Sequence, residues 1–215
     1  MTRRDTLPVD AGTASLPGDL TVPDGSSGLV LFAHGSGSSR SSPRNRHVGE
    51  ELSVRGMATL LFDLLTEEEA ATARWRFDIT LLARRLEGAV EWVRTRSDLA
   101  DLPLGLFGAS TGAAAALVAA AHRSGAVGAV VSRGGRPDLA GTELPAVRAP
   151  TLLIVGGRDV EVLTLNEKAA KELGAPHEVA VVPGATHLFE EPGALDAVAG
   201  LAGDWFTRHL GGPRP

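Results

Sequence analysis

Leu104-Gly105-Leu106-Phe107-Gly108-Ala109-Ser110-Thr111-Gly112, followed by the alanine-rich run 113–121 and His122, reads as a short strand, a tight turn and a helix. The segment 104–107 is apolar with no polar alternation, as a strand covered on both faces requires. Small residues at Gly108, Ala109 and Gly112 let the chain reverse sharply and lift the Ser110 hydroxyl above the end of the strand. A G-x-S-x-G pattern arises by chance in a chain with 26 glycines among 215 residues, so its meaning depends on its surroundings.

Working outward, similar apolar runs occur at 29–33, 58–62, 126–131, 151–155 and 178–182, giving six expected strands with 104–107. Helical patterns fill the intervals. Trp75, Ile79, Leu82, Leu86, Val90 and Val93 advance in steps of four and three, with Arg84, Arg85, Glu87, Glu91 and Arg94 off that stripe. Further helices are expected over 111–122, over 166–173 before Gly174 and Pro176, and after Pro192, where Leu195, Val198, Ala202, Trp205, Phe206 and His209 share a face. Such alternation predicts a doubly wound α/β fold with a mostly parallel sheet, and it places ligands at the carboxyl ends of the strands. Residues 29–215 form the expected domain. Residues 1–28, rich in Pro, Gly, Ser and Asp, are expected to be a frayed extension with one possible edge strand. The 18 residues from 132 to 149 are too few for an inserted helical cap, so an open pocket is expected, walled by Phe32, Leu64, Leu65 and Phe189.

Composition narrows the chemistry. With 43% hydrophobic and 22% charged residues, the chain supports a packed core rather than disorder. There is no cysteine, which excludes disulfides, thiolate metal sites and a cysteine nucleophile. A net charge of -5 gives no general attraction to nucleic acid. The longest apolar stretch, 113–121, is far shorter than a membrane crossing, and Met-Thr-Arg-Arg-Asp leads into no signal segment, so a cytoplasmic protein is expected. No H-E-x-x-H pair or other metal-ligand spacing occurs, and no cofactor is implied.

Four loops follow strands and open on one edge: His34-Gly35-Ser36-Gly37, the Ser110 turn, Gly156-Gly157-Arg158-Asp159, and Pro183-Gly184-Ala185-Thr186-His187. A serine hydroxyl needs a base, and a histidine base needs an acceptor that fixes its tautomer. Ser110, Asp159 and His187 supply all three in that chain order. Glu161 and Asp138 are the alternative acids. His47 is the alternative base, although it precedes the serine. Backbone N–H groups of Thr111 and Ser36 are the expected donors to a developing oxyanion, with Gly35 in place of Ser36 if the turn shifts by one residue. His34 is expected to shape its turn.

In these residues the chain resembles an α/β-hydrolase, and more narrowly the dienelactone hydrolase family, over residues 29–210. The resemblance implies an oxyanion turn at His34-Gly35-Ser36-Gly37, a nucleophile at Ser110, an acid at Asp159 and a base at His187. It departs from the enzyme that gave the family its name, which has a cysteine nucleophile, so that lactone is not carried over. Some relatives of this type are joined to a phosphoribosyltransferase domain, for which this chain lacks the length. The expected function is therefore cleavage of an ester, lactone or related acyl bond in a small molecule through an acyl-enzyme. A thioesterase or acyltransferase on the same residues is the alternative.

Arg40, Arg44, Arg133, Arg136 and Arg158 also fall in strand-end loops, and Arg133 and Arg136 are the expected contacts to an anionic substrate group. A different class of reading starts from Gly35-x-Gly37, with Asp63 ending the next strand, which imitates a dinucleotide fingerprint. Arg40 stands where its third glycine belongs, and no G-x-x-x-x-G-K-[ST] loop exists. A non-catalytic binding protein on the same fold is the third reading, which the Ser, Asp and His residues together disfavour.

Overall fold

The computed structural model describes residues 1–211. Eight strands form one sheet in the order β1-β2-β4-β3-β5-β6-β7-β8. The strands are β1 (Thr2–Asp10), β2 (Ser15–Pro23), β3 (Gly28–Ala33), β4 (Met57–Phe62), β5 (Leu104–Ala109), β6 (Val127–Arg133), β7 (Thr151–Gly156) and β8 (His177–Val182). From β4 to β8 across the sheet every pairing is parallel, and the six strands match the six expected runs. Helices α1 (Pro43–Val54) and α7 (Ala194–Leu210) cover one face. The other face carries α4 (Ile79–Thr95), α5 (Thr111–His122), the 3-10 segment Pro137–Ala146 and α6 (Val160–Ala170). Two short helices, α2 (Glu67–Ala70) and α3 (Ala73–Arg76), lie between β4 and α4. This is the mostly parallel α/β-hydrolase architecture.

The first 28 residues differ from the expected frayed extension. β1 and β2 form an antiparallel hairpin, and β2 pairs antiparallel with β4, so the sheet continues through two more strands. Asp10 closes the hairpin by accepting from the Gly12 N–H at 3.0 Å, with Gly12 at φ 81°. Val9, Leu16 and Leu20 point inward, while nearly all of β1 faces solvent. A strand with one buried residue and two charged arginines carries no apolar signature; pairing, not patterning, makes it a strand.

Other boundaries shift for identifiable reasons. Helix α1 was not expected. Its buried side includes Asn45 and Gly49 beside Val48 and Leu52, so no apolar stripe marks it, although Ser42 caps it and Pro43 opens it. α4 starts at Ile79 because the Asp78 carboxylate accepts from the Leu81 N–H, which leaves Trp75 in α3. Arg85, expected on the charged face, is buried and reaches Glu69 and Thr13, both at 2.8 Å. α6 begins directly after Asp159 rather than at Asn166. Pro192 lies outside α7, which opens at Ala194 after Gly193 at φ 77°. β8 is the sheet's edge and is mostly exposed, not covered on both faces.

Candidate active site

The Ser110 turn is shaped by contact. Ser110 adopts φ 51° and ψ -118°, a left-handed conformation that costs a β-bearing residue about 1–3 kcal/mol and must be held by its surroundings. A Cβ on Gly112 would lie 2.2 Å from the Ala33 carbonyl oxygen, and one on Gly108 would lie 2.4 Å from the Ala113 Cα. The two glycines are thus what allows β5, β3 and α5 to meet at this point. Ser110 occupies the N-cap position of α5, but its side chain makes no capping hydrogen bond.

Asp159 immediately precedes α6, yet its carboxylate does not cap that helix either. It sits 2.6 Å from His187 Nδ1, through Oδ2. The two loops that carry this pair are joined by their backbones. Arg158 N–H donates to the Ala185 carbonyl at 2.9 Å, and a Cβ on Gly156 would lie 2.4 Å from that same oxygen. Beyond it the chain turns tightly: Phe189 N–H donates to the Thr186 carbonyl, and the buried Phe189 ring, at φ 55°, anchors the turn in the core. Glu191 accepts from the Thr186 N–H through both oxygens at 3.1 Å, an interaction that sequence reading missed. That hydrogen bond holds the Glu191 carboxyl below its ordinary range.

Ser110 and His187 open on one cavity of about 90 Å³, whose other walls are Gly35, Ser36, Ser38, Ser42, Arg44, Asn45, Arg133 and Leu188. The wall is polar. Phe32, Leu64 and Phe189, expected to line it, are 1%, 0% and 2% exposed and belong to the core, and Leu65 is buried as well. Larger surface clefts, such as one of about 390 Å³ beside β1, β2 and α1, contain none of these residues.

The other candidates are placed elsewhere. Asp138 chelates Arg136, with Nε–Oδ1 at 2.8 Å and Nη2–Oδ2 at 2.7 Å, so Arg136 does not line the cavity. Glu161 lies in the first turn of α6. His47 bonds Asp196 at 2.8 Å on the exterior. Arg40 donates its backbone N–H to Asp63 at 2.7 Å, and its guanidinium lies within 3.9 Å of both Asp19 and Asp63. That leaves Asp63 engaged, which removes the ribose partner from the dinucleotide imitation. Arg158 is exposed beside Glu191. Of the five arginines, only Arg44 and Arg133 face the cavity.

His34 is buried, with Nδ1 3.0 Å from the Gly35 carbonyl and Nε2 accepting from the Leu64 N–H at 3.0 Å. Burial lowers its pKa, consistent with a neutral ring that ties the Gly35 turn to the end of β4. The Thr111 N–H is at the first position of α5, where no intrahelical carbonyl is available to it. Ser36 differs from expectation, because its N–H donates to the Thr111 hydroxyl at 2.9 Å and is not free to meet an oxyanion. The alternative, Gly35, lines the cavity within 3.1 Å of the Ser110 Cβ, measured from the position its own Cβ would take.

Among the described residues no group of His, Asp and Glu could hold a metal ion, and no helix is long and apolar enough to cross a membrane.

Comparison with known proteins agrees with this architecture. A family model described as an alpha/beta hydrolase domain matches residues 26–198. A dienelactone hydrolase from Anabaena variabilis, known from its crystal structure, is 55% identical, with a TM-score of 0.95 over 97% of this chain and 99% of that one. Est1E from Butyrivibrio proteoclasticus, at 15% identity, shares the fold with a TM-score of 0.80 over 96% of this chain and 99% of its own. Two curated Mycobacterium tuberculosis proteins, from two strains, bear the name "Putative phosphoribosyl transferase" and are 59% identical over 213 residues. Those residues are 99% of this chain and 48% of each relative, so the chain spans about half the length of the curated relatives it matches. The chain belongs to the dienelactone hydrolase-like α/β-hydrolases and is an enzyme of that class.

Proposed function

We propose that this enzyme is a serine hydrolase that cleaves an ester, lactone or related acyl bond of a small molecule. The observation that carries the reading is the 2.6 Å contact between Asp159 and His187 Nδ1, with Ser110 on a strained turn facing the same cavity as the imidazole. Asp159 accepts from Nδ1–H, which leaves Nε2 as the acceptor for the Ser110 proton. Ser110 Oγ attacks the carbonyl carbon, and His187 takes the proton. Negative charge gathers on the carbonyl oxygen, where the Thr111 N–H and the Gly35 N–H are the proposed donors, each worth on the order of 3 kcal/mol. Collapse of the tetrahedral centre breaks the bond to the leaving oxygen, to which His187 returns the proton. Water, deprotonated by His187, then attacks the acyl carbon; the bond to Ser110 Oγ breaks, His187 returns the proton to Oγ, and the acid is released.

A thioesterase or acyltransferase would use the same residues, with another leaving group or acceptor. Phosphoribosyl transfer is not proposed for this chain, because the relatives bearing that name are about twice its matched length.

The test is rapid-mixing kinetics with a chromogenic aryl ester. A burst of phenol equal to the enzyme concentration is expected where deacylation limits turnover, and Asp159→Asn should lower kcat by about 10⁴-fold through loss of the correct tautomer. Undiminished turnover by Ser110→Ala would refute the proposal.

A further inference from the structure

Asn166, in the middle of α6, is fully buried, and its side-chain Nδ2 donates to two carbonyls. One is Val162, a turn earlier in the helix, at 2.8 Å, and the other is Gly135, in the loop after β6, at 3.0 Å. The orientation of the amide follows from these partners, because two accepting oxygens require the nitrogen and would repel Oδ1. Oδ1 itself is buried without a partner among the described residues. A leucine of similar volume would leave no such orphan, so packing does not account for this side chain; its donor does.

The peptide that Asn166 reaches is the one that holds the proposed nucleophile. The Gly135 carbonyl and the Arg136 N–H belong to a single planar group, and that N–H donates to the Ser110 carbonyl at 3.1 Å. The same peptide is therefore held at both ends, by Asn166 on its oxygen and by Ser110 on its nitrogen. Gly134, at φ 51°, and Gly135 follow one another, and two successive glycines leave the plane of that peptide to be set by hydrogen bonds. A side chain has no room at the second of them: a Cβ on Gly135 would lie 2.0 Å from Ser132 Oγ and 2.6 Å from the Ala113 Cβ. α6 also follows directly from Asp159, so one helix carries the proposed acid at its start and reaches the Ser110 turn from its middle.

We infer that Asn166 is a positioning residue for the proposed reaction. By fixing the Gly135–Arg136 peptide, it holds Ser110 in the strained conformation that faces the cavity shared with His187. Asn166 does not line that cavity. Without its donor the peptide is free to rotate, the Arg136 N–H leaves the Ser110 carbonyl, and the positive-φ serine relaxes. Ser110 Oγ takes part in both acylation and deacylation, so both steps slow together. This inference rests on the proposed role of Ser110.

The test uses Asn166→Thr and Asn166→Leu. Thr164, in the same helix, donates its hydroxyl to the Val160 carbonyl at 3.0 Å, four residues back. Asn166→Thr should likewise keep a bond to Val162 and lose only the longer reach to Gly135. With 4-nitrophenyl acetate, both variants should lower kcat and kcat/KM together by about 10- to 100-fold, with KM within about twofold of wild type, as a displaced nucleophile requires. Hydrogen exchange followed by nuclear magnetic resonance needs no turnover. Exchange at the Arg136 N–H should quicken by about tenfold or more in Asn166→Thr, while the β5 amides keep their wild-type rates. Wild-type kcat in folded Asn166→Thr, or an Arg136 N–H that exchanges no faster than the rest of the sheet, would overturn the inference. A wild-type protein that neither cleaves the ester nor is phosphonylated at Ser110, with Arg136 exchange still quickened by Asn166→Thr, would instead refute the hydrolase reading and leave Asn166 as the residue that holds the Ser110 turn.

Discussion

The backbone N–H of Ser110 donates to the carbonyl of Arg133 at 3.2 Å, while the Ser110 carbonyl accepts from the Arg136 N–H at 3.1 Å. The turn after β6 therefore grips the strained serine from both sides. The residue that steadies the serine backbone also sends its guanidinium into the cavity beside it. Gly134, at φ 51°, brings this turn against His187, where a Cβ would lie 3.1 Å from the His187 carbonyl oxygen. Ser110 and Arg133 are thus tied together by main-chain hydrogen bonds, with Gly134 packed close to His187.

An unpaired buried cation should make the folded protein less stable than it need be. The Arg133 pKa is lowered in the folded chain, so the penalty is present at neutral pH and is relieved as pH rises past about 10. Arg133→Met should raise stability at pH 7 by about 1 kcal/mol or more, seen as a thermal midpoint a few degrees higher. A midpoint lowered by that amount would mean that the guanidinium makes net favourable contacts in the empty cavity.

The Ser110 turn gives a sharp contrast between glycines. Gly112→Ala places a methyl 2.2 Å from a backbone oxygen and should cost about 3 kcal/mol or more, with activity lost. Gly200→Ala, inside α7 with nothing within 4 Å, should instead stabilise by about 0.5–1 kcal/mol. Denaturant titration of both variants checks the pair, and equal effects would contradict the geometry.

Glu191 makes no hydrogen bond to Asp159 or His187, yet it accepts from the N–H of Thr186, the residue before His187. As a positioning residue, it should affect turnover more than binding. Glu191→Ala should lower kcat by about tenfold with KM little changed, and Glu191→Gln should recover much of the loss. A change confined to KM would place Glu191 at the substrate instead.

Arg96 and Arg3 hold the Asp98 carboxyl down to about 2, from an ordinary 3.8, and Arg3 belongs to β1. Because the folded value is the lower one, the stabilisation is full above the unfolded value and fades as pH falls from about 4 towards 2. The thermal midpoint of Asp98→Asn should therefore lie below that of wild type at pH 6 and converge with it near pH 2. A constant gap across that range would show that charge is not the cause.

What the sequence disclosed and withheld has physical reasons. Five of the six parallel strands were legible because burial on both faces leaves unbroken apolar runs such as 151–155, and the exposed edge strand β8 was legible from its run of β-branched residues alone. The Ser110, Asp159 and His187 loops were legible as strand-end turns because glycines mark them. The β1–β2 hairpin was not, since Thr2-Arg3-Arg4-Asp5 is a polar edge whose strand form depends on its partner. Helix α1 was hidden because it buries Asn45 and Gly49, and that also hid Asn45 as a cavity residue. Arg136 looked equivalent to Arg133, although the Arg136-x-Asp138 spacing was a signal that it would be neutralised locally. Which arginine lacks a carboxylate is a matter of tertiary contact, and no periodicity reports it.

The central claim is that Ser110 becomes covalently acylated with His187 as its base, and a fluorophosphonate tests it most directly. Incubated with the wild-type protein, the reagent should add once, as read by intact mass, with the phosphonyl group on the peptide containing Ser110. Ser110→Ala should take up none, and His187→Gln should react far more slowly while remaining folded. Stoichiometric labelling of Ser110→Ala, or a wild-type protein that stays unlabelled, would contradict the account.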